Sequence, residues 1–297
     1  MKTVNHSLKA VVAATAAISL GLSLSSCTNN SDTPSTPSTS DTAAATAPAP
    51  QPCELPAGSE ASGPATGTHS GEDISVAPEI ATGYRSGMEP VTTQSYAVAT
   101  ANPLASQAAC AVLLEGGTAA DALVAAQFTL GLTEPQSSGI GGGGYIVYYD
   151  AQKDEVSAID ARETAPVAAD ENYLIHVSDQ DTSAPVPDAR RSGRSIGVPG
   201  IVAGLEELHA EHGKTAWDQI LEPTADLASA GFEISPRMSA SIASSAEDLA
   251  TDPEAAEYFL NEDGSAKEAG TLRKNPAYAD TVREIATGGA DAFYTGD

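Results

Sequence analysis

Positive charge is what this sequence has least of. In 297 residues, 14 Lys and Arg stand against 40 Asp and Glu, giving a formal charge of −26 and a pI near 4.2. Such a polyanion repels phosphate backbones, which argues against nucleic acid as a partner. Cys is scarce as well: Cys27, Cys53 and Cys110 are too few and too scattered for a zinc site or a disulfide scaffold. Aromatics make up only 5% of the chain, so a core must be built from Ala, Leu, Ile and Val, and the length suits about one or two domains. His-Glu-x-x-His does not occur, which removes the commonest signature of a catalytic zinc.

What is present begins with an address. Lys2 and Lys9 precede an uncharged run from Ala10 to Leu24, which ends in Leu24-Ser25-Ser26-Cys27. The run is shorter than the roughly 18 residues that read as a permanent membrane span, so residues 1–27 are expected to be a secretory signal. Its ending resembles the bacterial lipobox, which makes Cys27 the expected lipidation site and implies an exported, cell-envelope lipoprotein on the outer face of the membrane. Of the 25 residues from Thr28 to Pro52, 20 are Ser, Thr, Pro or Ala. Such a stretch cannot form a core, and 28–77 is expected to be a flexible tether and polar lead-in. Cys53 and Cys110 could pair in an oxidising compartment, although Cys110 serves equally well as a small buried apolar residue.

The ordered domain is expected over 78–297. Asn102-Pro103 predicts a helix start and Gly116-Gly117 its stop, with Ala105, Ala108, Ala109, Val112 and Leu113 on one face. Thr118 to Asp121 reads as a capping box opening a second helix, with Leu123, Ala126 and Leu130 at helical spacing. Strands are predicted at 145–149 and 156–161 around a polar turn, forming a hairpin. A helix opened by Pro199 and Gly200 reaches His212, another covers 215–230 with a second segment beginning at Pro223, and the remainder is mostly helical with breaks at Gly264 and Gly288-Gly289.

Two features could carry chemistry. Gly139-Ile140-Gly141-Gly142-Gly143-Gly144 satisfies Gly-x-Gly-x-x-Gly, but a helix precedes it and a strand follows, the reverse of a dinucleotide site. The run either lets two backbones cross closely or lines a cavity with free amides. At the end of the second strand, alternation sends Asp160 and Arg162 to one face. Arg162 is either a carboxylate clamp, its planar fork gripping both oxygens, or an ion-pair partner of Asp160 or Glu163. His209 and His212 lie near a helix end, where positive charge is favourable. Arg190, Arg191 and Arg194 read as a solvated loop, with a ligand site as the alternative.

The order of several stretches resembles the γ-glutamyltransferases, or glutathione hydrolases, of the N-terminal-nucleophile superfamily. These are 102–106, 116–122, Glu134-Pro135 with 138–145, 160–166, 198–200 with Gly204-Leu205, and Phe293-Tyr294-Thr295-Gly296. The resemblance implies an α+β, αββα sandwich, incomplete in this chain, which should show mostly helices plus a β-hairpin. It implies γ-glutamyl transfer from glutathione and related amides to water, amino acids or dipeptides, with no cofactor and no metal. Arg162 would grip the α-carboxylate of the γ-glutamyl group. The nucleophile would be a Thr at the start of a small subunit cut from the same precursor. No Thr-x-His-x-Ser-like context is found here, so no catalytic residue is assigned and the chain is expected to be a truncated large-subunit portion. Related amidases and cephalosporin acylases use the same scaffold, and a catalytically silent surface lipoprotein is the rival from another class.

Overall fold

The computed structural model describes residues 91–295 together with Cys53 and Thr82. The signal segment, Cys27 and the tether lie outside the described residues, Cys53 excepted. Helix α1 (Pro103–Leu114) starts where the sequence predicts: the Asn102 side chain accepts from the Leu104 amide at 2.9 Å and Pro103 occupies the first turn. Gly116, at φ +89°, turns the chain after it. Helix α2 (Ala119–Thr133) opens with the expected capping box of Thr118 and Asp121, and the two helices pack side by side.

Asp121 does more than cap. Its fully buried carboxylate also accepts from the Lys214 and Thr215 amides at 3.1 Å, fastening the start of α2 to the loop between α3 (Ile201–His212) and α4 (Trp217–Ala230). Burial works against ionisation there, but the hydrogen bonds from Thr118, Thr215 and Lys214 outweigh it and hold the carboxyl below the usual range.

The buried face of α2 is not the predicted one. Ala120, Val124, Ala125, Phe128 and Leu132 enter the main core, whereas Leu123 is 39% exposed and Ala126 packs with Ala109 and Ala122 toward α1. The helix is sandwiched between α1 and the pair α3 and α4, so it buries two sides and has no single stripe. Phe128 meets Trp217 edge-on at 6.2 Å, and the Trp217 indole N–H donates to the Ile285 carbonyl, joining α4 to α8 (Pro276–Tyr294). Helix α4 runs unbroken through Pro223, where two segments were expected.

Strands β1 (Gly144–Asp150) and β2 (Glu155–Ala161) form the predicted antiparallel hairpin, with Gly144 opposite Ala161. Ile146, Ile159 and Ala161 face the helices. The other face is uncovered: Tyr145, Val147 and Tyr149 are 69%, 71% and 58% exposed. A second sheet, β3 (Phe232–Glu233) with β4 (Leu272–Arg273), was not anticipated, since two-residue strands show no alternation to read. Between them lie α5 (Pro236–Ser244), α6 (Ala246–Leu249) and α7 (Pro253–Phe259). Cys53 and Cys110 are joined in a disulfide, which settles the open choice at Cys110 and ties the residue after the Pro-rich stretch to α1. Among the described residues no helix is long and apolar enough to cross a membrane.

Candidate functional site

Ala161, Arg162 and Glu163 leave the hairpin at a point where three backbones converge. A Cβ at Gly143 would lie 2.5 Å from the Ala161 carbonyl oxygen and 2.9 Å from the Arg162 Cα. At Gly200 it would lie 2.4 Å from the same oxygen. Only glycine fits at either place, so the close-crossing reading of the Gly run holds at Gly143. The Gly142 carbonyl then accepts from the Gly200 and Ile201 amides, and Thr164 pairs with Val198 in both directions. Gly141 differs. It has open space around its Cα and lines a cavity, so the run serves both of the uses the sequence left open.

Arg162 projects from this junction with its side chain 58% exposed. Its Nε donates to Glu163 Oε2 at 3.1 Å, and its guanidinium lies 5.9 Å from the centre of the Tyr145 ring. The pairing with Glu163 raises the Arg162 pKa and keeps the cation fixed in charge. Glu163 in turn sits below the usual carboxylate range, held there by its own backbone amide, by Arg162 and by the Gly143 amide. The ion pair with Glu163 is therefore present, and it does not use the whole guanidinium. Glu163 occupies Nε and orients the plane, while the two terminal nitrogens, the fork that a carboxylate grips, have no partner among the described residues. Asp160 accepts from the Arg162 backbone amide at 3.1 Å, which steadies the turn rather than the guanidinium.

Arg162 stands between two cavities. One, of about 490 Å³, is lined by Asp160, Arg162, Thr164, Gly200, Ala203 and Tyr294. The other, of about 580 Å³, is lined by Gly141, Arg162, Glu163, Tyr173, Arg194 and Ile196 among others. Arg194 is not the solvated residue expected from its loop. Its guanidinium donates to the carbonyls of Tyr173, His176 and Val177 at 2.7, 3.0 and 2.7 Å and packs on the Tyr173 ring, pinning the wall of the second cavity. Arg191 pairs with Asp248 on the surface. His209 binds the Thr215 carbonyl, and His212 stacks on Tyr148; both are structural.

A buried polar hub behind the Gly run escaped sequence reasoning. Glu134, 1% exposed at the end of α2, accepts from Asn102, Thr82 and Gln136 at 2.7, 2.5 and 2.6 Å and pairs with Arg237 of α5. Its neighbours Ser137 and Ser138 are bound by Arg237 and Gln127, so the hub fixes the point from which the Gly run departs. Among the described residues no three His, Cys, Asp or Glu side chains gather to hold a metal ion.

Residues 105–297 match the family model described as gamma-glutamyltranspeptidase. The chain belongs to the γ-glutamyltranspeptidase family. It is similar to glutathione hydrolase 2 of Arabidopsis thaliana, with 39% identity over 210 residues, covering 70% of this chain and 34% of that protein. It is also similar to the glutathione hydrolase proenzyme of Bacillus subtilis strain 168, at 38% over 199 residues, 67% of this chain and 33% of the relative. The crystal structure of Helicobacter pylori γ-glutamyltranspeptidase superposes with a TM-score of 0.65 at 32% identity, covering 70% of this chain and 59% of that one. The chain thus spans about a third of the length of these curated relatives. The family is one of enzymes, and its fold class is the α+β, N-terminal-nucleophile type, to which the described residues contribute helices and the β1–β2 hairpin.

Proposed function

We propose that this chain is the substrate-gripping portion of an enzyme that transfers the γ-glutamyl group of glutathione and related amides to water, amino acids or dipeptides. The observation that carries the reading is the Arg162 fork, oriented through Nε by Glu163 and open at its two terminal nitrogens beside a cavity. Such a fork suits the α-carboxylate of a γ-glutamyl donor, and the resulting bidentate contact holds the γ-carbonyl at a fixed distance from the anchor. The names of the relatives, glutathione hydrolases, support the same substrate class.

Chemistry at the carbonyl requires a nucleophile, and none is assigned among these residues. The proposal is that a Thr exposed by self-cleavage of the same precursor attacks the γ-carbonyl with its own α-amine as base, and that water or an acceptor then resolves the ester. The name proenzyme on the Bacillus subtilis relative supports processing of this kind. So does the bare face of the hairpin. Tyr145, Val147, Tyr149 and Val156 form an apolar sheet surface that calls for cover, and Arg162 lies over one of those rings, at its edge. A small subunit seated there brings its nucleophile to the clamp. Cys27, lipidated, anchors the assembly to the outer face of the bacterial membrane.

The test is Arg162→Lys in the full-length gene product. An ammonium replaces a two-pronged contact with a point charge, so KM for a γ-glutamyl anilide should rise by about tenfold or more while self-cleavage persists. Unchanged KM and kcat would reduce Arg162 to an ion-pair partner of Glu163.

A further inference from the structure

Tyr294 lines the same cavity as Arg162, and the fold spends three separate contacts on placing it. Gly289, at φ +67°, breaks α8 one turn before its end. Glu206 of α3 then accepts from the Ala290 amide at 2.8 Å, capping the segment that follows the break. Phe293 meets the Tyr294 ring edge-on at 5.1 Å. The phenol oxygen accepts from the Ala203 amide of α3 at 3.3 Å, which fixes the oxygen and leaves the hydroxyl proton without an acceptor among the described residues. Partial burial, reinforced by the charge of Glu206, raises the phenol pKa despite the Ala203 contact, so the proton is retained in neutral solution.

A fixed hydroxyl with a free proton and a guanidinium with a free fork line one cavity. We propose that Tyr294 donates a hydrogen bond to the ligand carboxylate that Arg162 grips, and so sets the orientation of the γ-glutamyl group. This rests on the reading of Arg162 given above. Arg162 alone lets the carboxylate plane rock about the line of its two contacts, and a donor from a second direction removes that freedom. Asp160 on the same wall carries the opposite charge, which suits an amino-acid zwitterion better than a dianion. Tyr294 is a positioning residue and takes no part in bond making.

The experiment compares wild type, Tyr294→Phe and Arg162→Lys in the full-length gene product, with γ-glutamyl anilide and with 4-aminobutyryl anilide, which keeps the chain and amine but lacks the α-carboxylate. Phenylalanine retains the ring and its contact with Phe293. With γ-glutamyl anilide, Tyr294→Phe should raise KM by about tenfold, the scale of a hydrogen bond to a charged group, and change kcat less than about twofold. With 4-aminobutyryl anilide, kcat/KM should match wild type. Equal losses on both substrates, or a lowered Tm with equal losses, would make Tyr294 a structural cap of α3 and overturn the proposal. An unchanged KM for γ-glutamyl anilide alongside a raised KM in Arg162→Lys would overturn it while leaving the clamp intact. Two silent variants would remove both.

Discussion

Replacing Gly200 with Ala tests how tightly the fold holds Arg162. Gly200 has φ −118° and ψ −18°, a conformation open to alanine, so the consequence is purely steric. The new methyl would sit 2.4 Å from the Ala161 carbonyl oxygen and 2.7 Å from that of Arg162, both backbone atoms that no rotamer change can move aside. Even weak C–H···O contacts need about 3.3 Å, so the strand end and the start of α3 must part by roughly 0.9 Å. Overpacking of this kind costs about 1–3 kcal/mol, or a Tm lowered by roughly 2–10 °C in a domain of this size. Displacing the clamp by close to an ångström should also reduce kcat/KM for a γ-glutamyl anilide by about 100-fold. Gly141→Ala is the stability control, because its methyl would meet nothing within 4 Å and should leave Tm unchanged or slightly raised. Calorimetry and anilide hydrolysis on the full-length product measure both effects. A Gly200→Ala protein with wild-type Tm and turnover would show that the strand end and α3 do not meet as described.

Arg237→Met should destabilise the protein by about 3–5 kcal/mol by chemical denaturation, because it leaves the Glu134 carboxylate buried without its cation. Asp121→Asn should cost about 1–3 kcal/mol, since one amide oxygen cannot satisfy the Thr118, Lys214 and Thr215 amides together. With its folded pKa depressed, Asp121 contributes stability that is full above its unfolded value of about 3.9 and is lost as pH falls through the lower folded value. Acid titration of the Asn variant should accordingly show a weaker loss of stability below about pH 4 than wild type. Fatty-acid labelling of cells should mark the wild-type precursor and spare Cys27→Ser; label on the variant would refute the anchor.

Local chemistry was legible wherever a rule acts within a few residues. The caps at Asn102 and Thr118, the stop at Gly116, the hairpin and the break at Gly289 each depend on neighbours in the chain, and each stands where the sequence places it. What escaped depends on distant partners. Leu123 and Val124 are equally apolar, and only packing between α1 and the α3–α4 pair decides which is buried. Glu134 lies 103 residues from Arg237, and Arg194 binds carbonyls some 20 residues before it, so neither role leaves a local pattern. At Arg162 the residues alone offered a clamp or an ion pair; the structure shows the ion pair with Glu163 through Nε and leaves the two terminal nitrogens open.

The most direct test of the central claim, that Arg162 anchors a γ-glutamyl donor by its carboxylate, is hydrolysis of γ-glutamyl and 4-aminobutyryl anilides side by side by the full-length product. The two differ only in the α-carboxylate, which the 4-aminobutyryl anilide lacks, so a clamp built for that carboxylate discriminates between them. The account predicts clear preference for the γ-glutamyl anilide in the wild type, and loss of most of that preference in Arg162→Lys. Equal or faster hydrolysis of the 4-aminobutyryl anilide, insensitive to Arg162→Lys, would contradict it. No hydrolysis of either would favour a catalytically silent lipoprotein.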